Sequence, residues 1–365
     1  MEEALRQSRD GLWRTSPNPR VGCVITDASN TVLAVGSTQQ AGGPHAEIMA
    51  LRAAQASGRD VRGATAYVTL EPCSHHGRTG PCCDALVQAG IGRVVASLAD
   101  PNPLVAGRGF ERLRAAGVDV QIGPGAEQAR ELNIGFFSRM VRGRPWVRLK
   151  AATSLDGQTA LSNGASQWIT SAQARADGHA WRARACAVLT GVGTVLADDP
   201  LLDVRLVDSP RQPHLVIVDS QLRTPANARL FGPERTVLIY TTTRQPERQQ
   251  ALEQAGALVI QVAPERAGTS ARVDLKAVLD DLGRREVNEL HVEAGAVLNG
   301  ALMTQGWVDE YLIYQAPRLL GVGRPLAHLP DWQQIDEAMA LEFTDTTRIG
   351  PDLRLLARPA GAKPF

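Results

Sequence analysis

Apolar positions spaced as a short helix occupy 2–9, and the stiff turn Pro17-Asn18-Pro19 follows. Residues 21–27 and 31–36 read as two strands joined in a hairpin at Ala28-Ser29-Asn30, and the Ala/Leu-rich stretch 45–57 has helical spacing. A buried strand is expected at 64–70, then a polar loop to Gly80, a helix at 82–89 and a strand at 93–98. A helix near 109–116, a strand at 118–122 and one helix over 127–141 complete this half, whose βαβα-like pattern implies a sheet covered by helices. The polar breaker Arg142-Gly143-Arg144-Pro145 interrupts the pattern and divides the chain into expected domains 1–143 and 144–365. Beyond it a second α/β cycle has strand candidates at 146–151, 187–190, 215–219, 237–240, 258–262, 289–293 and 310–315. Repeats and long low-complexity segments are absent.

Composition narrows the class. The chain has 365 residues, 44% of them hydrophobic and 21% charged, which is globular usage and long enough for two cores. Thirty-nine basic residues against 38 acidic ones leave a net charge of +1, so no global field gathers nucleic acid or coats an anionic membrane. The charged start lacks the apolar stretch of a secretory signal, and no window approaches a membrane span; a soluble, cytoplasmic protein is expected. Five cysteines, four of them in the first quarter of the chain, do not resemble a secreted disulfide framework, which leaves metal or catalytic use.

The strongest chemical signal is Pro44-His45-Ala46-Glu47 opening a helix, with Glu71-Pro72-Cys73 after a strand and Pro81-Cys82 opening the next helix. One imidazole and two thiolates form a three-ligand zinc site that leaves the fourth position to water, as catalytic zinc requires. Glu47, two residues from His45 on the first helical turn, is placed to relay a proton without being a ligand. Helix N-termini near His45 and Cys82 favour the anionic thiolates. The pattern follows zinc-deaminase logic, H-x-E with P-C-x-x-C, in which Glu carries the proton to the departing ammonia. Here, however, eight residues separate Cys73 from Cys82, so the intervening loop is long enough to touch substrate. Pro81-Cys82 repeats Pro72-Cys73, which favours Cys82 over Cys83 as the ligand, while Cys23 and Cys186 lie in apolar stretches and read as core. The competing interpretation is a structural zinc site or unrelated buried cysteines.

These residues go beyond a generic deaminase. Thr15-Ser16-Pro17-Asn18-Pro19-Arg20-Val21-Gly22-Cys23-Val24, Pro44-His45-Ala46-Glu47 and the segment from Glu71 to Thr79 together resemble the RibD family of bifunctional riboflavin-biosynthesis deaminase/reductases. The resemblance continues through Leu149–Gly157, Ser166–Ser171, Thr194–Pro200 and the segment from Val292 to Ala296, in order and over nearly the whole chain; Gly80 departs from the proline common there. It implies a cytidine-deaminase-like α/β/α domain and a dihydrofolate-reductase-like α/β domain. The first would hydrolyse the 2-amino group of 2,5-diamino-6-ribosylamino-4(3H)-pyrimidinone 5′-phosphate with one Zn2+. The second would use NADPH to reduce the ribosyl to the ribityl side chain. The implied partner is that small-molecule pyrimidine ribosyl phosphate, with no nucleic acid and no membrane, and the implied assembly is a homo-oligomer.

Under the resemblance, Asn18 and the loop with His75 and Arg78 hold the deamination substrate, Arg78 suiting a phosphate by charge and shape; Asn18 between two prolines also reads as a plain turn residue, with substrate contact the favoured role. Ala152, Trp168, Thr194, Asp198, Ser220 and the turn Gly295, Ala296, Val297, Leu298, Asn299, Gly300 and Ala301 fall at cofactor positions. Lys150, Ser166, Arg182, Leu202, Arg205 and Glu293 fall at substrate positions, Arg182 and Arg205 suiting the ribose phosphate. Asp198, Asp199 and Asp203 are the acidic candidates near the sugar. Without the resemblance this half is a weak signal, because Thr190-Gly191-Val192-Gly193-Thr194 is not a full G-x-G-x-x-G fingerprint. A strand ending in Ala294-Gly295-Ala296 can still present backbone N–H groups to a phosphate, or be an ordinary turn. The alternative function is a zinc deaminase of another nucleobase or a tRNA base with a non-catalytic second domain. Balanced charge and few aromatics weigh against RNA.

Overall fold

The computed structural model describes residues 1–74, 80–103, 105–265, 272–362 and 365. Two compact units emerge, Met1–Gly143 and Arg144–Phe365. In the first, α1 (Glu2–Arg9) precedes the hairpin β1 (Gly22–Thr26) and β2 (Val32–Ser37). Then come α2 (Ala46–Ala56), β3 (Thr65–Val68), α3 (Cys82–Gln88), β4 (Arg93–Ala96), α4 (Arg108–Ala115), β5 (Asp119–Ile122), α5 (Ala126–Leu132) and α6 (Ile134–Arg142). The strands form one sheet in the order β2-β1-β3-β4-β5, antiparallel through β1 and parallel from β3 to β5.

Every residue of β1 is buried, because helices cover both of its faces. Two glycines set how closely they approach. A Cβ on Gly22 would lie 1.9 Å from the Ala4 carbonyl of α1, and one on Gly36 would lie 2.3 Å from the Ala46 carbonyl of α2. Gly36 pairs with Cys23 rather than with Gly22, so the pleat sends the two glycines to opposite faces and each admits one helix. The close seat of α2 fixes the height of His45 and Glu47 above the sheet.

The pattern over 127–141 predicts one helix, but the chain forms two, broken at Asn133. Its amide oxygen accepts the Arg20 N–H at 2.7 Å, and its amide nitrogen donates to the carbonyls of Arg20 at 3.0 Å and Ala129 at 3.2 Å. A long-range tie to the segment entering β1 overrides local helical spacing there.

The second unit runs β6 (Trp146–Thr153), β7 (Gln158–Leu161), α7 (Ala172–Arg184), β8 (Ala187–Gly191), α8 (Val192–Asp198), β9 (His214–Val218) and β10 (Val237–Thr241). It continues with α9 (Pro246–Gln254), β11 (Ala257–Gln261), α10 (Leu275–Arg284), β12 (Glu289–Val292), α11 (Ala296–Thr304), β13 (Glu310–Gln315), β14 (Gly323–Pro325), β15 (Leu341–Ile349) and β16 (Asp352–Pro359). Nine strands make one sheet, β11-β10-β9-β8-β12-β6-β13-β16-β15, parallel from β11 to β13 and antiparallel at β16 and β15. The seven strands expected from apolar runs all form. The pattern missed the small β7–β14 pair and the hairpin β15–β16; β15 is largely exposed and β16 half-buried, so neither carries a buried-strand signature.

The late strand β12 enters between β8 and β6, so the carboxyl ends of three parallel strands meet at a topological switch, where open α/β sheets place their ligands.

Candidate active sites

In the first unit, His45 is the residue before α2, Cys82 begins α3 and Cys73 lies in the loop after β3. The His45 Nδ1 is 3.6 Å from the Cys73 Sγ and 3.4 Å from the Cys82 Sγ. Ordinary Zn–S and Zn–N bonds at tetrahedral angles put such atoms about 3.6 Å apart, so the donor set and its spacing fit zinc. Their three ligand atoms lie within 4.8 Å of one another. Cys73 is drawn down to about 4, first by the hydrogen bond with Cys82; the partner thiol is pushed up by giving that bond and by burial. Glu47 is 3% exposed, and its carboxyl reaches the Cys82 thiol. Burial raises it to about 7.

Sequence reasoning left Glu71 without a role, and the structure supplies one. Its buried carboxylate accepts four backbone N–H groups: Gly107 and Gly109 at 2.9 Å, Asp100 at 3.1 Å and Phe110 at 3.3 Å. A Cβ on Gly109 would meet the Pro72 carbonyl at 2.1 Å. Glu71 and Pro72 are thus locked onto the start of α4, and this positions Cys73 next to them. Cys83 turns its thiol to Asp84 at 3.7 Å; Cys23 and Cys186 are buried. Asn18 lies half-buried in the turn before β1, its N–H donating to the Thr15 carbonyl at 2.9 Å. His75 and Arg78 lie outside the described residues.

In the second unit a cleft of about 1900 Å³ opens at the switch point. Ala152, Trp168, Thr194, Asp198, Ser220 and the whole 295–301 turn line it, as do Lys150, Ser166, Arg182, Leu202, Arg205 and Glu293. Gly295 caps the start of α11, so that helix directs its unpaired N–H groups at the cleft, a fitting cradle for a dinucleotide's phosphates. Asn299 also serves the fold: its amide donates to the carbonyls of Ala294 at 3.1 Å and Leu326 at 2.9 Å.

Glu293 organises the floor. Its carboxylate accepts two bonds from the Arg182 guanidinium, at 2.6 and 3.0 Å, and one from Lys150 at 3.4 Å. Burial alone would raise its pKa, but the charges of Arg182 and Lys150 outweigh it and hold the carboxyl well below its ordinary range. Arg182 also donates to the Asp203 carbonyl, so much of its fork is engaged within the protein. Of the three acidic candidates only Asp198 lines the cleft; Asp199 accepts the Arg229 N–H at 2.9 Å, and Asp203 pairs with Arg205 at 2.5 Å. Sequence reasoning missed the cleft residues His179 and Tyr314. The His179 Nδ1 accepts the Arg205 N–H at 3.2 Å, and burial lowers its pKa to about 4, so the ring is neutral at working pH. The Tyr314 hydroxyl donates to Asp177 at 2.5 Å. Neither position had a local signal.

Fold and sites together define a zinc-dependent deaminase joined to a reductase. Residues 1–98 match the cytidine and deoxycytidylate deaminase zinc-binding region, and residues 145–355 match the RibD C-terminal domain. The chain is 44% identical to riboflavin biosynthesis protein RibD of Escherichia coli over 97% of both chains. It is 38% identical to that of Aquifex aeolicus over 97% of this chain and 96% of the other. The solved structure of Acinetobacter baumannii RibD superposes with a TM-score of 0.88 at 39% identity, covering 98% of this chain and 97% of the other. A Thermotoga maritima structure, a diaminohydroxyphosphoribosylaminopyrimidine deaminase/5-amino-6-(5-phosphoribosylamino)uracil reductase, superposes at 0.86 and 31% identity, covering 99% and 97%. The chain belongs to the RibD family, the bifunctional deaminase/reductases of riboflavin biosynthesis. Its two units have the α/β folds that the resemblance implied.

Proposed function

We propose that residues 1–143 hydrolyse the 2-amino group of 2,5-diamino-6-ribosylamino-4(3H)-pyrimidinone 5′-phosphate and that residues 144–365 then reduce the ribosyl chain of the product with NADPH. The observation that carries this reading is a His/Cys/Cys cluster whose spacing fits zinc, beside the buried Glu47, in a chain that also holds a cleft at a parallel-sheet switch point.

His45, Cys73 and Cys82 would hold the zinc, which when bound activates water for attack on an amidine-like ring carbon. Glu47 takes the proton released there and passes it to the departing ammonia, work suited to a carboxyl poised near neutrality. Asn18, His75 and Arg78 hold the pyrimidine and phosphate. In the second unit NADPH supplies hydride for the sugar carbon. Gly295 to Ala301 would hold its phosphates at the start of α11, and Ala152, Trp168, Thr194, Asp198 and Ser220, which line the same cleft, would hold the rest of it. Lys150, Glu293 and Arg182 form one ion-paired floor for the sugar, with Ser166, Leu202 and Arg205 completing the wall.

The test supplies zinc-loaded protein with the diaminopyrimidine substrate and no pyridine nucleotide, then adds NADPH. Ammonia release in the first phase and NADPH oxidation in the second are expected. NADPH oxidation with no prior release would reverse the order, and silence in both would refute the substrate.

Among the described residues no helix is long and apolar enough to cross a membrane. From its family membership we read the protein as a cytoplasmic homo-oligomer. The edge strand β15 exposes Leu341 and Phe343, apolar side chains that pairing with a second copy would cover. Light scattering should return a multiple of 39.1 kDa, and Phe343→Glu should shift the population towards the single chain. A monomeric parent would refute this reading.

A further inference from the structure

His179 lines the cleft of the second unit without a part in the reading above. Its ring is 5% exposed and sits on α7 one turn before Arg182, so the two side chains share a helix face. Both reach the segment that carries Arg205. Arg182 donates to the Asp203 carbonyl, and the His179 Nδ1 accepts the Arg205 N–H at 3.2 Å. The same segment is tied from its other side: the Gln212 amide accepts the Val204 N–H at 2.7 Å and donates to the Val204 carbonyl at 2.9 Å, and Arg235 donates to the carbonyls of Leu201 and Leu202. Leu202 and Arg205 therefore face the cleft from a wall that is set before any ligand arrives.

The bond from the Arg205 N–H has a chemical consequence. Nδ1 must offer a lone pair to accept it, so the ring proton resides on Nε2. Burial first, and then the charges of Arg182 and Arg205, oppose a second proton; Glu293 and Asp203 favour one and are outweighed. The Nε2 has no hydrogen-bond partner among the described residues, and unlike the two ring nitrogens of the buried His291 it is not sealed off. His179 thus holds one neutral, oriented donor in the field of two cations. The N–H groups of those cations are partly spent, since all three nitrogens of Arg182 donate to Glu293 or the Asp203 carbonyl and Arg205 pairs with Asp203. Positive potential with a free donor beside it suits a group that is anionic and accepts only, as a phosphate is.

We propose that the His179 Nε2–H donates a hydrogen bond to the 5′-phosphate of the ribosyl substrate, which makes His179 a substrate-binding residue of the reduction step. The inference rests on the reductase reading given above and adds a contact to it.

Steady-state reduction of the deaminated ribosylaminouracil 5′-phosphate by the full-length, zinc-loaded protein at saturating NADPH tests it, with two substitutions that divide the ring between them. H179N keeps an acceptor near Nδ1 for the Arg205 N–H and removes the far donor; H179Q keeps a donor near Nε2 and gives up the near acceptor. H179N should raise KM about tenfold or more, the worth of one hydrogen bond to a charged group, with kcat changed much less. H179Q should recover most of that loss, and on the dephosphorylated substrate H179N should match the parent. The opposite order, with H179N near parental and H179Q impaired, would overturn the proposal by leaving His179 only a brace for the wall. An equal loss on the dephosphorylated substrate would overturn the phosphate as its target. A readout without turnover is the nitrogen-15 spectrum of the parent, in which ribose 5-phosphate but not ribose should shift the Nε2 signal that disappears in H179Q; no shift at saturation would overturn the contact even if H179N folds poorly. A parent that oxidises no NADPH with this substrate would overturn the reductase reading and this inference with it, whereas normal reduction by both parent and H179N would overturn the inference alone.

Discussion

Glu47→Gln is expected to keep its zinc and lose ammonia release by about 10²–10⁴-fold, the usual worth of a positioned acid–base group. The amide preserves the size of the side chain, and the metal ligands His45, Cys73 and Cys82 are untouched. What disappears is the ability to take up a proton and give it back. Metal analysis should find as much zinc as in the parent, and reduction of the already deaminated intermediate by NADPH should continue, because that cleft belongs to the other unit. Near-normal ammonia release would remove Glu47 from the chemistry, and loss of zinc would make it a structural group. Joint loss of both activities would contradict two independent sites.

The second large effect is expected at Glu293. Glu293→Gln removes the carboxylate that pairs with both Arg182 and Lys150, leaving two cations facing an amide in a largely buried position. Removing one partner of a buried pair typically costs about 3–5 kcal/mol, and with the floor disordered NADPH oxidation should fall by about 10²-fold or more. Ammonia release should persist. The pH dependence has a defined sign. The folded-state pKa of Glu293 is depressed, so its stabilisation is complete above the unfolded carboxyl value of about 4.3 and fades as acid approaches the lower folded value. The stability gap between parent and variant, read by urea unfolding, should therefore be full at pH 7 and narrow below about pH 4. A gap that stayed constant into acid would show that the charge of Glu293 is not what holds this floor together.

The zinc site was legible because its chemistry is local. His45, Cys73 and Cys82 each sit at or next to the start or end of an element that apolar spacing already marks, and Glu47 follows His45 on one helical turn. Glu71 was not legible, since its worth lies in four N–H groups from 100–110 that converge on it only after folding. Asn133 shows the same limit at the level of secondary structure: its pull on Arg20 broke a helix that local spacing joined.

By itself the sequence determined the two α/β units, the His/Cys/Cys cluster that fits zinc with Glu47 beside it and, through the resemblance, the residues that line the reductase cleft. Those are matters of short-range periodicity and of residue types at fixed offsets, which a linear chain records directly. The tertiary structure alone decided how the cleft works: β12 inserted between β8 and β6 brings Glu293 onto Lys150 from 143 positions away. It also decided that Arg182 is engaged by Glu293, that Asp219 is consumed by its own turn, and that β15 ends the sheet with apolar residues uncovered. Each of these depends on which strands become neighbours, and burial and charge pairing between distant segments exist only once that order is set.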